Sequence, residues 1–138
     1  MLKRFDHLAI AVRDTEAALK LYRDKLGLPV LFSQEHPDQP LLMTHLDMGN
    51  AQLQLIQPLT DDHPVARWLD EHGEGLHHVC FYVDDVAETF AELPAHGLLP
   101  MTAAPGGGPN GRSAGFIDPA TTNRVMIELT SDPDESEA

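Results

Sequence analysis

The sequence predicts an α+β fold, two tandem β-α-β-β-β modules that form a concave mixed sheet. Three observations carry this. The stretch "HLAIAVRD" (7–14) lies over "HVCFYVDD" (78–85) without a gap. Each copy is followed by a segment of helical apolar spacing that stops at a glycine, Gly27 in the first and Gly97 in the second. Each half then offers short alternating runs that read as half-buried strands. A chain of 138 residues is long enough for one domain with its own core.

The first strand puts Leu8, Ile10 and Val12 on one face, beneath a helix, and His7, Ala9 and Ala11 on the other. That second face is small and can line a cavity. The helix is "TEAALKLYRDKLGL", with Ala18, Leu21, Tyr22 and Leu26 at helical spacing. Strands follow in "PVLFSQ", "LLMTHLDM" and "AQLQLIQ", the last two joined at Gly49-Asn50. An even-length loop there puts Thr44, Leu46, Met48, Leu53 and Leu55 on the core face. Met43, His45, Asp47, Gln52 and Gln54 share the opposite face. A joining segment holds Pro58, Pro64 and the short helix "PVARWLDEH".

In the second module Val79, Phe81 and Val83 pack, while His78, Cys80 and Tyr82 point the other way. The helix "DVAETFAELPAHGL" carries Val86, Phe90 and Leu93 on one face, and Pro94 tightens its end. Strands are expected near "LLPMT", in "SAGFID" and in "RVMIELT". The expected organisation is one domain, 1–138. Module 1 covers about 5–57, the linker about 58–75, module 2 about 76–130, and a solvated acidic tail 131–138.

A net charge of −13 disfavours a general affinity for nucleic acid or anionic membrane. It also means that an anionic substrate needs a local positive centre. No apolar run approaches a membrane span. The N-terminal "MLKRFDHLAI" shows no signal-peptide pattern. The single cysteine, Cys80, allows no internal disulfide and fits a cytoplasmic protein.

The copies also match at their ends. Gln54 follows His7 by 47 residues inside "LQL", and Glu128 follows His78 by 50 inside "IEL". Strand parity collects His7, Gln54, His78 and Glu128 on the concave face. Taken singly, each residue reads as an ordinary capping, surface or solvent-side group, as do His36, His63, His72 and His96. Together, at matched positions, they form an N/O set suited to a divalent ion with open positions, Co²⁺, Ni²⁺, Mn²⁺ or Zn²⁺. His77 is either a partner of that site or a contact of the linker. Cys80 reads as a small wall residue, with nothing nearby to activate a thiolate.

Four stretches carry a family resemblance: "DHLAIAVRDTEAALKLYRDKLGL", "LDMGNAQLQLIQPL", "HPVARWLDEHGEGLHHVCFYVDDV" and "GFIDPATTNRVMIEL". They resemble the vicinal oxygen chelate superfamily, which includes glyoxalase I and extradiol dioxygenases, and most of all its methylmalonyl-CoA epimerase members. The resemblance implies a divalent metal on His7, Gln54, His78 and Glu128. It further implies a CoA thioester substrate, epimerisation through a metal-stabilised enolate, and a homodimer. Epimerisation removes a proton on one face and returns one on the other, so it needs two groups. Glu128 is the first candidate. His45, on the Gln54 face, is the second, with an exposed hairpin residue as its alternative reading.

Three departures stand out. Some epimerases carry a second glutamate where this chain has Met43. The family's paired glycines before the last strand are replaced by Asn123-Arg124, and Ala120 stands where a lysine is usual. Arg112 and Arg124 are candidates to hold anionic parts of a CoA chain or are surface charges. Rival readings are a glyoxalase-type lyase and a non-catalytic small-molecule binding or resistance protein of the same fold.

Overall fold

The computed structural model describes residues 1–133. The chain is mixed α+β and divides into two compact units, His7–His77 and Met1–Asp6 together with the chain from His78 onward. The first unit orders its strands β2 (Val30–Glu35), β3 (Leu41–Asp47), β4 (Gln52–Pro58) and β1 (Arg4–Ala11). The second orders β5 (Gly75–Tyr82), β8 (Ile127–Ser131), β7 (Ser113–Ile117) and β6 (Gly106–Gly107). In each, the first strand pairs parallel with the last, β1 with β4 and β5 with β8. The remaining neighbours are antiparallel. The repeat legible in the sequence is therefore a repeat of topology.

Each repeat opens its helix in the same way. Asp14 accepts from the Ala17 N–H (3.0 Å) and caps α1, Thr15–Leu19. Asp85 accepts from the Glu88 N–H (2.9 Å) and caps α3, Val86–Glu92. Beyond Leu19 the first helix widens into a π turn over Lys20–Lys25, where the Leu26 N–H bonds to the Leu21 carbonyl (2.9 Å). The wider turn changes the rotation per residue. Leu21 and Leu26, expected on the packed face, are 44% and 61% exposed. Ala18, Leu19, Tyr22 and Leu28 cover the sheet instead. In the second repeat Val86, Phe90 and Leu93 pack as expected, and Pro94 lies in the tight turn Leu93–His96 that closes at left-handed Gly97.

The first unit has a core on each face. Ile10, Val12, Leu46, Leu53 and Leu55 pack with α1. Ala11, Leu41, Met43 and Ile56 pack with Val65 and Leu69 of α2, Pro64–His72. The Ala11 end of the small face of β1 is thus core, because α2 covers it. His63 is the cap of α2, its Nδ1 accepting from the Val65 N–H (3.0 Å). Met48, expected in the core, is 49% exposed beside the Gly49 turn.

Residues 1–6 pack in the second unit. The Lys3 N–H bonds to the Tyr82 carbonyl (2.9 Å), the Arg4 guanidinium lies 4.0 Å from the Tyr82 ring centre, and Phe5 meets Phe81 edge-on. The strand expected near "LLPMT" is a single bridge between Pro100 and Ile117. The outer strand is Gly106–Gly107 instead, which no side-chain pattern could announce. Val125 is 51% exposed and precedes β8, and Ser131 belongs to that strand, with its Oγ accepting from the Val86 N–H (3.3 Å). The last five residues of the expected acidic tail, 134–138, lie outside the described residues. Among the described residues no helix is long and apolar enough to cross a membrane.

Candidate functional site

In the first unit the pairing sets Ala9 opposite Gln54 on one side and His45 opposite Gln54 on the other. The loop 48–51 keeps the expected parity, so His45 and Gln54 share a face. His7, His45 and Gln54 are all buried. His45 is therefore no exposed hairpin residue. Its ring stacks on Phe32 (4.4 Å, 20°) and meets the His7 ring edge-on (5.6 Å). Both of its nitrogens are engaged, Nδ1 with Gln52 Oε1 (2.6 Å) and Nε2 with Gln54 Nε2 (3.0 Å). Gln54 Oε1 is buried and, among the described residues, has no hydrogen-bond partner. Leaving such an acceptor unpaired costs about 1–3 kcal/mol, so its placement calls for an explanation such as a bound ion.

In the second unit Cys80 stands opposite Glu128 on one side and Phe116 opposite it on the other. His78 is buried, and its Nε2 lies 3.3 Å from Glu128 Oε1. The Phe116 ring meets the His78 ring edge-on (5.0 Å, 86°). Burial pushes the Cys80 thiol far above its ordinary range, and the Glu128 and Asp6 carboxylates add to the shift; the thiol lies 3.9 Å from the Phe81 carbonyl. Cys80 is a neutral wall residue, as its setting in the sequence suggested.

The two units superpose in register. His7 matches His78, Ala9 matches Cys80, Gln54 matches Glu128, and His45 matches Phe116. Each unit thus presents one imidazole and one side-chain oxygen at the same places on the same strands. Imidazole and oxygen donors suit a borderline divalent ion.

Other residues fall elsewhere. Met43 lies in the α2 core at 2% exposure, so the position where some epimerases carry a glutamate holds an apolar side chain. Arg112 reaches Asp6 (2.9 Å) and Asp132 (3.7 Å), while Arg124 is exposed. His77 meets Trp68 edge-on (5.1 Å), the linker contact of its two readings. Asn123 and Arg124 both have left-handed backbone, φ 54° and 70°. Both positions thus hold a conformation that glycine adopts at least cost. The partners missed in sequence are Gln52, Phe32 and Phe116. Gln52 was on the right face by parity, but only the cross-strand register makes it a partner of His45.

The sequence model described as the Glyoxalase/Bleomycin resistance protein/Dioxygenase superfamily matches residues 6–116. A Bacillus subtilis relative, the uncharacterized protein YqjC, is 34% identical over 93% of this chain and 91% of its own. The ethylmalonyl-CoA/methylmalonyl-CoA epimerase of Cereibacter sphaeroides is 32% identical over 94% of this chain and 98% of its own. Among solved structures, methylmalonyl-CoA epimerase from Mycobacterium tuberculosis superposes with a TM-score of 0.90 at 28% identity, covering 99% of this chain and 93% of that one.

Proposed function

Because the chain belongs to the Glyoxalase/Bleomycin resistance protein/Dioxygenase superfamily, as an epimerase-like member of it, we propose that it is a metal-dependent epimerase of a 2-substituted acyl-CoA thioester, methylmalonyl-CoA first. The carrying observation is the matched pair in each unit, an imidazole and a side-chain oxygen at equivalent register. His7, Gln54, His78 and Glu128 would hold one divalent ion, Co²⁺, Ni²⁺, Mn²⁺ or Zn²⁺. The fit rests on the donor set and on Gln54 Oε1, a buried acceptor with no hydrogen-bond partner among the described residues. Two neutral imidazoles, one amide oxygen and one carboxylate leave such an ion net positive, the local centre that an anionic substrate needs on a chain of charge −13. When bound, the ion supplies a positive charge that stabilises negative charge developing on substrate oxygens.

The chain's own part is proton handling. The Glu128 carboxylate takes the proton from one face of C2 and a solvent water returns one on the other; His78 Nε2, 3.3 Å from Glu128 Oε1, is kept for the ion. The neutral Cys80 thiol opposite Glu128 keeps that wall small and unreactive. Met43 has no titratable atom, so this chain has no counterpart of the second glutamate. The family resemblance also supports a homodimer, which sedimentation analysis tests directly.

The test is exchange of the C2 proton of methylmalonyl-CoA in deuterated water, followed by NMR on metal-loaded protein. We expect exchange and interconversion of the two C2 epimers. Glu128→Gln should cut the rate by roughly 10²–10⁴-fold. Exchange at the uncatalysed background with metal bound overturns the reading, and so does elemental analysis showing that His78→Ala leaves metal content unchanged.

A further inference from the structure

Of the two positions opposite the oxygen donor, one holds a small wall residue in both units, Ala9 or Cys80, and the other holds His45 in the first and Phe116 in the second. The difference follows the chemistry of the donor. A carboxylate offers two equivalent oxygens, so Glu128 needs no partner to choose between them. A side-chain amide has one oxygen and one NH₂, and only the oxygen can serve a cation. Gln54 therefore has an orientation that must be set, and Glu128 does not.

The hydrogen bonds around His45 set it. An amide nitrogen only donates, so Gln54 Nε2 at 3.0 Å requires a bare His45 Nε2 as acceptor. The ring proton then sits on Nδ1 and donates to Gln52 Oε1 at 2.6 Å. Phe32 stacks on the ring and holds its plane. The chain Gln52–His45–Gln54 is thus directional, and it leaves Gln54 Oε1 as the atom turned away from His45. We infer that His45 is a positioning residue that fixes the Gln54 amide with its oxygen presented for a metal ion, and that this replaces a direct part in proton transfer. The inference rests on the metal reading of Gln54 and deepens it.

The experiment uses the full chain, stripped of metal by chelator and titrated with Co²⁺ alone. His45→Asn, too short to reach Gln54, should weaken Co²⁺ binding by about 10–100-fold, the usual effect of losing a group that orients a ligand. His45→Gln can place a carbonyl oxygen near the lost Nε2 and should bind within a few-fold of wild type. His45→Phe copies the second unit's solution and should lose affinity, but His45→Phe combined with Gln54→Glu should recover it, because a carboxylate needs no orienting. A second readout needs neither metal nor variant: ring ¹⁵N shifts of His45 in the wild-type apo protein should report the Nδ1–H tautomer. An Nε2–H tautomer, or His45→Asn with wild-type affinity, overturns the inference alone. Wild-type protein that takes up no Co²⁺ overturns the metal reading and the inference with it.

Discussion

The two units carry one topology and one polar pair each, yet they build the pair's surroundings from different materials. In the second unit His78 meets Glu128 directly at 3.3 Å, and the neighbour across from Glu128 is a phenyl ring. In the first, Gln54 is held from His45, and His45 from Gln52. The same inversion runs beneath the helices. The helix residue that matches Leu19 is Phe90, and the strand residue that matches Thr44 is Gly115. A larger side chain on one element accompanies a smaller one on the other. The structural repeat therefore keeps backbone register while the residues filling each position trade size and polarity.

The largest effect that sharpens this comparison is on packing. A Cβ on Gly115 would collide with Phe90 Cζ. Gly115→Ala should therefore destabilise the protein by about 1–3 kcal/mol, the usual penalty of overpacking. Phe90→Leu in the same chain should recover part of the loss by restoring the pairing of the first unit. Chemical denaturation of the single and double variants measures both. Additive losses would break the volume-exchange account.

A smaller effect is expected at the turn before β8. Arg124 sits at φ 70°, a conformation that costs a residue with a side chain about 1–2 kcal/mol relative to glycine. Glycine also gains freedom in the unfolded chain, which takes back roughly 0.5–1 kcal/mol. Arg124→Gly should therefore stabilise the fold by about 0.5 kcal/mol, read by thermal unfolding. A loss of stability would mean that the Arg124 side chain contributes more than its backbone costs.

The smallest change is one of slope. Among the described residues only the first unit has α2, capped by His63. Burial depresses the His63 pKa below its ordinary 6.5; His36 adds to this and Asp62 opposes it. The folded state then favours the neutral ring, so the unfolded chain binds more protons below pH 6.5. His63's contribution is fully present above that pH and is lost as pH falls toward the depressed folded value. His63→Asn keeps a capping oxygen and removes the titration. Stability measured against pH should flatten in this variant just below pH 6.5, and an unchanged profile would show that His63 does not set the slope.

Much of this was legible in the residues. Two ungapped copies with matching ends identified the β-α-β-β-β repeat, the face shared by His45 and Gln54, and the two imidazole–oxygen pairs, because strand alternation is a local property of the backbone. The helix "PVARWLDEH" was equally local. The π turn after Leu19 was hidden, since i→i+5 bonding alters which residues face the core without altering the apolar count. The Gly106–Gly107 strand carries no side chains to alternate. What only the tertiary structure decided is which atoms meet across strands. Register brings Gln52, His45 and Gln54 into one directional chain, and orientation of an amide is a property of its neighbours, not of its own position in the sequence.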